Sequence, residues 1–591
     1  MPDVQLPDLI AVAAGRKPAD VILRNGRVVN VFSHEIQEAD VALVGDRIAG
    51  IGSYEGRKVV DLKGRYVCPG LIDAHVHIES SLLSVPEFAR VVSAHGTTAV
   101  VADPHEFANV MGTEGIAFVL RAAKNAPIDV FVMLSSCVPA SPLESAGAEL
   151  DAEDLVPFLN NPWVLGLAEM MNYPGVISGD AGVLAKLRMA AGRVIDGHAP
   201  AVRGRDLSAY ASSGIMSDHE CTTADEAAEK LRNGLYVMVR EGSQTRNLRA
   251  ILPTIRPETA DRFLFCTDDK DVSDLLAEGQ IDFMIRTAIA GGIDPILAVK
   301  MGTLNTARYF GLRQSGAILP GYLANITVMH DLKDCRVAEV FHRGVQVAEE
   351  GKCVAPQMAG DHRLALRSSV NVKWIELDDF QICVEQANGL SMEQENRPLA
   401  GPTNIHVIRV MENRIDTERE IDVAAVRDGQ LVADPLRDLA KMVVIERHRA
   451  SGEMGRAFVR GFGLKGGAIA STVAHDAHNL VVVGTNDEDM MTAAVRLVKL
   501  GGGWIAVRDG HVLAELPLPI AGLVSAAPAE RVAADLSGLL AAAKQLGCPL
   551  AQPFMALSFL SLSVIGKLKL TNLGLIDVIR FEVIPLAEGA A

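Results

Sequence analysis

The chain has 591 residues, of which 49% are hydrophobic and 22% are charged, so it is long enough for two or three domains with large cores. Its formal net charge of −17 argues against nucleic acid as a partner, because phosphate backbones are bound through an excess of Lys and Arg. The eight cysteines include no C-x-x-C pair, a spacing that favours reduced thiols in the cytoplasm over disulfides or a cysteine zinc site.

Neither a signal peptide nor a membrane helix is evident in the sequence. Residues 1–20 lack a basic stretch followed by a long apolar one. The most apolar late segment, 554–570, is interrupted by Ser, Gly and Lys within a span too short for a membrane helix. This segment predicts a buried helix, and we expect a cytoplasmic protein with no membrane partner.

Short strands separated by turns are predicted between residues 20 and 66. The segments VILRNGRVVNVF and DVALVGDRIAGIG place Asn-Gly and Gly-Asp between β-branched runs, which is the pattern of hairpins in a small sheet. Similar material returns after residue 313, in GAILPGYLANITVMH and VAEVFHRGVQV. We expect one small composite β-sandwich domain assembled from residues 1–66 and 313–358.

Between these stretches, apolar strand candidates alternate with amphipathic helical segments. The strand candidates are LIDAHVHIE, TTAVVADPHE, DVFVMLSS, VLGLAEM, RVIDGHAP, GIMSDHE, LYVMVREG and RFLFCTDD. Eight strand–helix alternations over about 250 residues have the size and rhythm of a TIM barrel, although an open doubly wound sheet also alternates. We expect a (β/α)8 barrel over residues 67–312. Residues 359–591 mix short strands, helices and Gly-rich turns, and we expect a separate α+β domain there.

Most of the candidate barrel strands end in a side chain that can bind a metal or carry a proton. In chain order these side chains are His75, His77, His105, Glu106, Glu169, His198, His219, Glu220, Asp268 and Asp269. Active sites of barrels lie at the carboxyl ends of the strands, so this placement favours the barrel over the open sheet. Because residues two apart on a strand point the same way, His75 and His77 would both face the interior.

Imidazoles and carboxylates that converge at one end of a barrel are typical of a metal site. Four histidines and two carboxylates on one ring could hold two ions, and a hydroxide shared between the ions would be a strong nucleophile at neutral pH. A single histidine is more often a structural residue than a ligand. We interpret the scattered histidines in that way: His95, His330, His342 and His362.

The run PGLIDAHVHIESS resembles the first-strand signature of the amidohydrolase superfamily. Within that superfamily, the chain most resembles the adenine deaminase family, over essentially its whole length. The motifs that carry the resemblance are HIESS at 77–81, ADPHE at 102–106, GLAEMMNYPGV at 166–176, DGHAP at 196–200, SDHE at 217–220, CTDDK at 266–270 and IASTVAHDAHNLVVVG at 469–484.

This resemblance implies a binuclear centre of divalent ions, with Mn(II) or Fe(II) as the metal. By motif position, His75 and His77 would bind one ion together with Asp268. His198 and His219 would bind the other ion. Many relatives carry a carboxylated lysine on the fourth strand, and here Glu169 stands at that position, so an ordinary carboxylate would bridge the ions. The resemblance also implies a homodimer or a higher homo-oligomer.

Hydrolytic deamination of adenine to hypoxanthine and ammonia is the activity that the resemblance implies. The bridging hydroxide would attack C6 of the purine, and Asp268 would carry its proton to the leaving nitrogen. N1 of the ring also needs a proton, for which Glu79, His105 and Glu106 are candidates that the sequence does not rank. An equal alternative for Glu79 and Glu106 is that they orient the histidines, and both are also candidate substrate contacts.

A second set of candidate substrate contacts is assigned by position alone. Arg240 and Ser243 follow the seventh strand, and His475, Asp476 and His478 form a polar cluster in the C-terminal region. That cluster could close over the barrel mouth, bind another ion or satisfy itself internally. We take His475 and His478 as candidate substrate contacts, together with Arg240 and Ser243.

Three other functions are compatible with parts of this pattern. The same metal centre could hydrolyse a cyclic amide or an N-acetylated small molecule, although Glu169 disfavours the lysine-bridged cyclic amidases. Zinc deaminases with H-x-E and P-C-x-x-C ligands are excluded, because the chain has no C-x-x-C. A non-catalytic, metal-stabilised scaffold would be expected to lack a ligand, and the set is complete. We therefore expect a small-molecule purine substrate.

Overall fold

The structure is a computed structural model that describes residues 5–356, 368–383, 403–412 and 414–588. The strands within these ranges form five hydrogen-bonded sheets, two of them parallel and central in the chain. None of the helices in the same ranges is long and apolar enough to cross a membrane. All eight cysteines are free thiols.

One nine-stranded sheet is formed by strands that precede the central parallel strands and strands that follow them. Its strands are β1 (Ala19–Asn30), β2 (Glu35–Val44), β3 (Arg47–Ile51), β4 (Gly56–Asp61), β5 (Tyr66–Pro69), β14 (Ile326–Met329), β15 (Val337–His342), β16 (Val345–Glu349) and β17 (Lys352–Cys353). Their order is β17-β16-β15-β14-β5-β1-β2-β3, with β4 beside β1. The β5–β14 pairing joins the two distant segments.

The predicted hairpin at Asn25-Gly26 is wrong, because β1 continues through both residues. The register between β1 and β2 shifts between Leu23 and Gly26, so the dipeptide forms a bulge. Asn25 has φ 58°, a left-handed conformation that asparagine tolerates. A Cβ on Gly26 would lie 2.7 Å from a methyl carbon of Val67, so this position needs glycine. The Gly-Asp turn between β2 and β3 occurs as predicted.

Eight strands in the middle of the chain pair in parallel, and each lies within one of the predicted strand segments. They are β6 (Leu71–Val76), β7 (Thr97–Ala102), β8 (Asp129–Leu134), β9 (Val164–Met170), β10 (Val194–Gly197), β11 (Ser217–Asp218), β12 (Tyr236–Arg240) and β13 (Phe263–Cys266). β6 to β10 form one sheet and β11 to β13 another. Every residue of β6 and β7 is buried, as expected for strands covered on both faces.

The two parallel sheets meet at both of their edges. Met216 N–H, just before β11, donates to the Ile195 carbonyl of β10 (2.9 Å). At the other edge, Val76 forms a parallel bridge with Asp268, two residues beyond β13. The Asp268 N–H also donates to the His75 carbonyl (2.9 Å). The first and eighth strands are therefore neighbours, and their carboxyl ends lie side by side.

The helices begin at α1 (Leu6–Ala13), and thirteen further helices accompany the parallel strands. These are α2 (Val85–Ala94), α3 (His105–Met111), α4 (Thr113–Ala122), α5 (Ala152–Leu155), α6 (Tyr173–Ser178), α7 (Ala181–Met189), α8 (Gly204–Ser212), α9 (Ala224–Arg232), α10 (Leu248–Ile251), α11 (Val272–Glu278), α12 (Ile281–Ala290), α13 (Pro295–Met301) and α14 (Leu304–Tyr309). In α9, the Thr223 side chain accepts from the Glu226 N–H, and acidic and basic residues occupy opposite ends of the helix.

Within the described ranges, the C-terminal region contains a second nine-stranded sheet, a three-stranded sheet and three α-helices. The larger sheet is built from β18 (Thr403–Arg409), β19 (Glu418–Arg427), β20 (Gln430–Val432), β21 (Ala440–Ile445), β22 (Met454–Arg460), β23 (Ala468–Ser471), β24 (Leu480–Gly484), β25 (Gly503–Arg508) and β26 (His511–Pro517). The smaller sheet is β27 (Leu568–Thr571), β28 (Gly574–Asp577) and β29 (Glu582–Ile584), and the helices are α15 (Asp487–Leu500), α16 (Ala529–Gln545) and α17 (Pro553–Ser558). Residues 554–570 are thus not the single buried helix predicted: α17 ends at Ser558 and a strand begins at Leu568.

The C-terminal region packs directly on the loops at the carboxyl ends of the parallel strands. Ser525 exchanges backbone hydrogen bonds with Leu82 and Ser84 (2.8 and 3.0 Å). The Thr571 hydroxyl donates to the Leu143 carbonyl (2.7 Å). One hydrophobic cluster includes Phe107 from α3 as well as residues of the C-terminal sheets and helices. The two regions therefore share a core at the end of the parallel strands where the polar side chains lie.

Candidate active site

His75 and His77 lie at the carboxyl end of β6, with their ring nitrogens facing each other. The two Nε2 atoms are 3.1 Å apart. His77 Nδ1 lies 3.1 Å from the Asp103 carbonyl oxygen, which can only accept, so Nδ1 carries the proton and Nε2 presents a lone pair. Two nitrogens at this distance with a lone pair directed between them suit a shared cation.

His198 and His219 form a second pair, after β10 and β11. His198 Nδ1 lies 3.2 Å from His219 Nε2. The His198 N–H donates to the Tyr210 hydroxyl (2.9 Å), and that hydroxyl donates to the Met170 carbonyl (2.8 Å). The backbone of His198 is thus tied to the end of β9, where Glu169 lies.

Glu169 divides its two oxygens between the histidine pairs. Oε1 lies 3.2 Å from His77 Nε2 and 3.6 Å from His75 Nε2. Oε2 lies 2.7 Å from His198 Nδ1 and 3.1 Å from His219 Nε2. Glu169 is 2% exposed, so its orientation is fixed by these neighbours. A carboxylate in this position can bridge two ions, one beside each pair.

Asp268 faces the first histidine pair from the end of β13. Its Oδ1 lies 2.9 Å from His77 Nε2 and 3.6 Å from His75 Nε2. Its backbone has φ 57°, a left-handed conformation that turns the chain where the eighth strand meets the first. The six predicted metal ligands are thereby brought together: His75, His77, Glu169, His198, His219 and Asp268.

Arg240, at the end of β12, contacts three carboxylates rather than open space. Its guanidinium pairs with Glu220 and Asp268 through close contacts, and Nη2 lies 2.9 Å from Asp269. Asp269 also accepts from the Ser80 hydroxyl (2.5 Å). Arg240 lines the pocket, but its hydrogen-bonding groups are directed to these acids. The arrangement suits a residue that orients Asp268.

The donor set brings several carboxylates together in a buried site. Although burial opposes ionisation, the charge of His219 and the hydrogen bonds of His198 and His219 hold the pKa of Glu169 well below its usual range. Arg240 and the neighbouring histidines do the same for the pKa of Asp268. Arg240 adds a permanent cation that pairs with Glu220, Asp268 and Asp269. Buried anions need compensation, and divalent cations fit these donors.

His105 and Glu106 lie beyond the second strand, not on it, because β7 ends at Ala102 and both residues begin α3. His105 Nδ1 lies 3.0 Å from Asp103 Oδ2, and its Nε2 lies 3.3 Å from Glu106 Oε1. Asp103 thus contacts both His77, through its carbonyl, and His105, through its carboxylate. The ADPHE motif places Asp103 two residues before His105, a signal that could have identified it.

Glu106 is held by two histidines of the C-terminal region. The Ala474 N–H donates to His478 Nδ1 (3.1 Å), so His478 Nε2 carries the proton and donates to Glu106 Oε2. His475 Nδ1 lies 2.6 Å from Glu106 Oε1. Burial lowers the pKa of His478 to about 4, which agrees with a neutral ring that already has both nitrogens engaged. This tautomer argues against a further metal ion at His478.

A pocket lies between the strand ends and the C-terminal region, and its polar side is formed by the groups described above. The remaining lining is largely apolar and comes mainly from the C-terminal region: Met171, Ile415, Phe559, Leu562, Val564 and Ile565. The His475 ring stacks on Phe559 with centroids 4.5 Å apart. Sequence reasoning missed these apolar residues, because nothing in an apolar run separates a pocket wall from a core.

Three predicted substrate contacts lie outside the pocket lining: Glu79, Ser243 and His478. The Ser243 hydroxyl donates to Asp274 of α11 (2.6 Å). Glu79 is buried behind α3 and accepts from the Phe107 N–H (3.2 Å). Burial, together with the negative charge of Glu106, raises the pKa of Glu79 to about 7. Conversely, Asp476 lines the pocket, although it was not among the predicted substrate contacts.

Comparison with known proteins agrees with this site. Residues 66–347 match the amidohydrolase family, whose fold mixes helices and strands around a divalent metal centre, and residues 414–582 match the adenine deaminase C-terminal domain. The adenine deaminase of Desulfatibacillum aliphaticivorans is 45% identical over 582 residues, covering 98% of this chain and 99% of the relative. That of Dehalococcoides mccartyi strain 195 is 47% identical over 581 residues, with the same coverage of both chains. The chain therefore belongs to the adenine deaminase family.

Proposed function

We propose that this chain is a metal-dependent hydrolase that converts adenine and water to hypoxanthine and ammonia. The observation that carries the proposal is the position of Glu169, with one oxygen directed to each histidine pair at the base of a partly apolar pocket. Family membership supports adenine as the substrate, because relatives that match nearly the whole chain are named adenine deaminases.

In architecture, we infer a closed (β/α)8 barrel over residues 67–312. The contacts at both edges of the two parallel sheets support closure. We also infer that residues 1–66 and 313–358 form the composite β domain, and that the C-terminal α+β domain follows from residue 359. The boundary at 358 and 359 lies outside the described residues. The family resemblance supports a homodimer.

Two divalent ions, Mn(II) or Fe(II), are the proposed cofactors. His75, His77 and Asp268 would hold one ion, His198 and His219 the other, and Glu169 would contact both. When bound, such ions lower the pKa of water and so supply a nucleophile at neutral pH. The chemistry of the donor set, five nitrogen or oxygen donors around a buried carboxylate, supports this assignment.

The residues of the chain then handle the protons of the reaction. Water adds to C6 of adenine, the C6–N bond breaks, and the amino group must leave protonated as ammonia. Asp268, with Oδ1 free of Arg240, would take the proton of the attacking water and pass it to the leaving nitrogen.

For the proton on N1, the pocket favours His105 among the three candidates. Glu79 lies outside the lining, and Glu106 already accepts from His478 and pairs with His475. His105 lines the pocket, and both of its nitrogens lie near carboxylates that would hold it protonated. Glu106 would then orient His105 rather than donate.

The test is direct: the metal-free protein is loaded with Mn(II), mixed with adenine, and followed by purine absorbance and ammonia release. We expect stoichiometric hypoxanthine and ammonia, and neither product with metal-free protein. Absence of ammonia, together with hydrolysis of an N-acetylated sugar or a cyclic amide, would transfer the assignment to those substrates.

A further inference from the structure

Asp476 is a pocket-lining carboxylate with an oxygen atom that is free to accept a hydrogen bond from a ligand. It is 4% exposed, and its Oδ2 has no hydrogen-bond partner among the described residues. Its Oδ1 lies 3.9 Å from His475 Nδ1, beyond hydrogen-bond distance. An acceptor this deeply buried is costly unless it is paired. Asp476 therefore has the property expected of a group that binds a ligand.

The other carboxylates of the pocket are already engaged by protein groups. Glu106 is held by His475 and His478. Glu220, Asp268 and Asp269 share the guanidinium of Arg240. Glu169 faces both histidine pairs. Glu106 Oε1 and Asp268 Oδ2 also lack an aligned hydrogen bond within the described residues, but both acids lie against a charged partner. The ion-pair distance from Asp476 to His475 is 3.9 Å, which distinguishes Asp476 from these neighbours.

A second buried acid, Glu144, lies close enough to Asp476 for their charges to interact. Glu144 is 5% exposed, and neither of its oxygens has a hydrogen-bond partner within the described part of the chain. Burial and the nearby negative charge of Asp476 raise the pKa of Glu144 well above its usual range. Burial raises the pKa of Asp476 itself to about 6, so its carboxylate is still available as an acceptor at neutral pH.

A free purine base presents two kinds of donor. The exocyclic amine must lie at the strand ends, where the reaction occurs. The remaining donor is the N–H of the five-membered ring, which would be buried against the apolar wall that includes Phe559 and Leu562. Burying that N–H without an acceptor would be unfavourable. A 9-substituted purine, such as a nucleoside, lacks this N–H in its usual tautomer.

We propose that Asp476 accepts a hydrogen bond from the imidazole-ring N–H of the purine and so selects the free base over 9-substituted purines. The inference rests on the proposed function for the identity of the substrate. A site built to pair a buried donor rejects analogues that lack it, because its own acceptor is then left unpaired.

The test compares the binding of purine and 9-methylpurine by calorimetry, using full-length metal-loaded protein. Neither ligand has an amine to lose, so binding is measured without turnover. The variants are Asp476→Ala and the isosteric Asp476→Asn, with the exposed Asp206→Ala as a matched control. The wild type and the control should bind purine about 10- to 100-fold more tightly than 9-methylpurine.

In Asp476→Ala, we expect purine affinity to fall until the two ligands bind within about threefold of each other, while 9-methylpurine affinity stays unchanged. Asp476→Asn, which keeps an oxygen acceptor, should retain part of the preference. The proposal is overturned if Asp476→Ala still prefers purine, or if both ligands lose affinity equally. It is also overturned if the affinities become equal because 9-methylpurine binds more tightly, which would indicate a steric effect.

These outcomes are separate from those of the proposed function. If purine is preferred through Asp476 but adenine is not deaminated, the reaction assignment fails and the recognition assignment stands. If adenine is deaminated at equal catalytic efficiency by the wild type and Asp476→Ala, the reaction stands and the role of Asp476 is overturned. If purine does not bind to the wild type while adenine is deaminated, the recognition assignment fails and the reaction stands.

Discussion

At the scale of single residues, the site depends on how each polar atom is shared. Glu169 contacts both histidine pairs through different oxygens, whereas Asp268 divides its oxygens between His77 and Arg240. These two carboxylates are similarly buried, but their neighbouring groups differ. Glu169 is surrounded by imidazoles, and Asp268 is also fixed by a permanent cation. Their substitutions should therefore have different consequences.

Replacing Glu169 by Gln keeps the size of the side chain but removes the charge that offsets two cations. We expect Glu169→Gln to lose at least one metal per chain and most of its turnover, as measured by elemental analysis and ammonia release. The exposed Glu149→Gln serves as the control. Unchanged binding of two metals by Glu169→Gln would rule out the bridging role.

Replacing Asp268 by Asn should lower kcat by about 10²–10⁴-fold, the usual cost of losing a general acid–base group. Because Asp268 also faces His75 and His77, metal content must be matched before the rates are compared. Full activity of metal-matched Asp268→Asn would leave the substrate assignment intact and remove Asp268 from proton transfer.

At the scale of elements, α9 fixes the second histidine pair through one buried lysine. Lys230 is fully buried, and its ammonium donates to the Ala199 carbonyl (2.8 Å), Asp218 (2.8 Å) and Glu226 (2.9 Å). Asp218 in turn accepts from the Ala199 N–H (2.7 Å). Ala199 follows His198 and Asp218 precedes His219, so this network sets the spacing of the two rings.

We predict that Lys230→Met weakens metal binding at His198 and His219 while the ion beside His75 and His77 is retained. Loss of a supporting contact typically costs 10–100-fold in metal affinity, which chelator competition would measure. Thermal unfolding shows whether the variant folds, and the exposed Lys333→Met is the control. Two metals of unaltered affinity in a folded Lys230→Met would contradict the positioning role.

At the scale of the whole molecule, the C-terminal region completes the pocket that the parallel strands begin. Lys569 of β27 is fully buried and donates to the carbonyls of Phe559 (2.7 Å) and Ile415 (2.9 Å). Both of these residues line the pocket. Burial lowers the pKa of Lys569 to about 7. The two hydrogen bonds of this buried side chain are consistent with a role in positioning the pocket wall.

Lys569→Met should raise KM for adenine about 10-fold, the equivalent of roughly one lost hydrogen bond of binding free energy. The metal centre is remote from this change, so kcat and the metal content should stay close to those of the wild type. Lys567→Met, two residues away and exposed, is the matched control. If Lys569→Met instead lowers kcat and leaves KM unchanged, the pocket wall does not act on substrate binding.

The positions of the strands and of most metal-ligand candidates were predictable from the sequence, because both depend on short-range patterns. Seven of the eight parallel strands are mainly apolar runs of four to seven residues, and most of the eight are followed by a polar group that the fold collects at one end. The exception in length and composition is β11, which is only Ser217–Asp218. The bulge at Asn25-Gly26 was not predictable, since the same dipeptide serves a turn or a bulge and the pairing of β1 with β2 decides between them.

Only the tertiary structure decided which distant groups meet. The position of Arg240 in the sequence predicts a substrate contact. In the structure, β11, β12 and β13 are adjacent, and three acids contact its guanidinium. Glu106 and His478 are separated by 372 positions and form one hydrogen bond. Segment 554–570 has the composition of a core helix and supplies a pocket wall. Local sequence determines backbone conformation and burial, whereas the partners of a buried polar group depend on chain segments that no local pattern can specify.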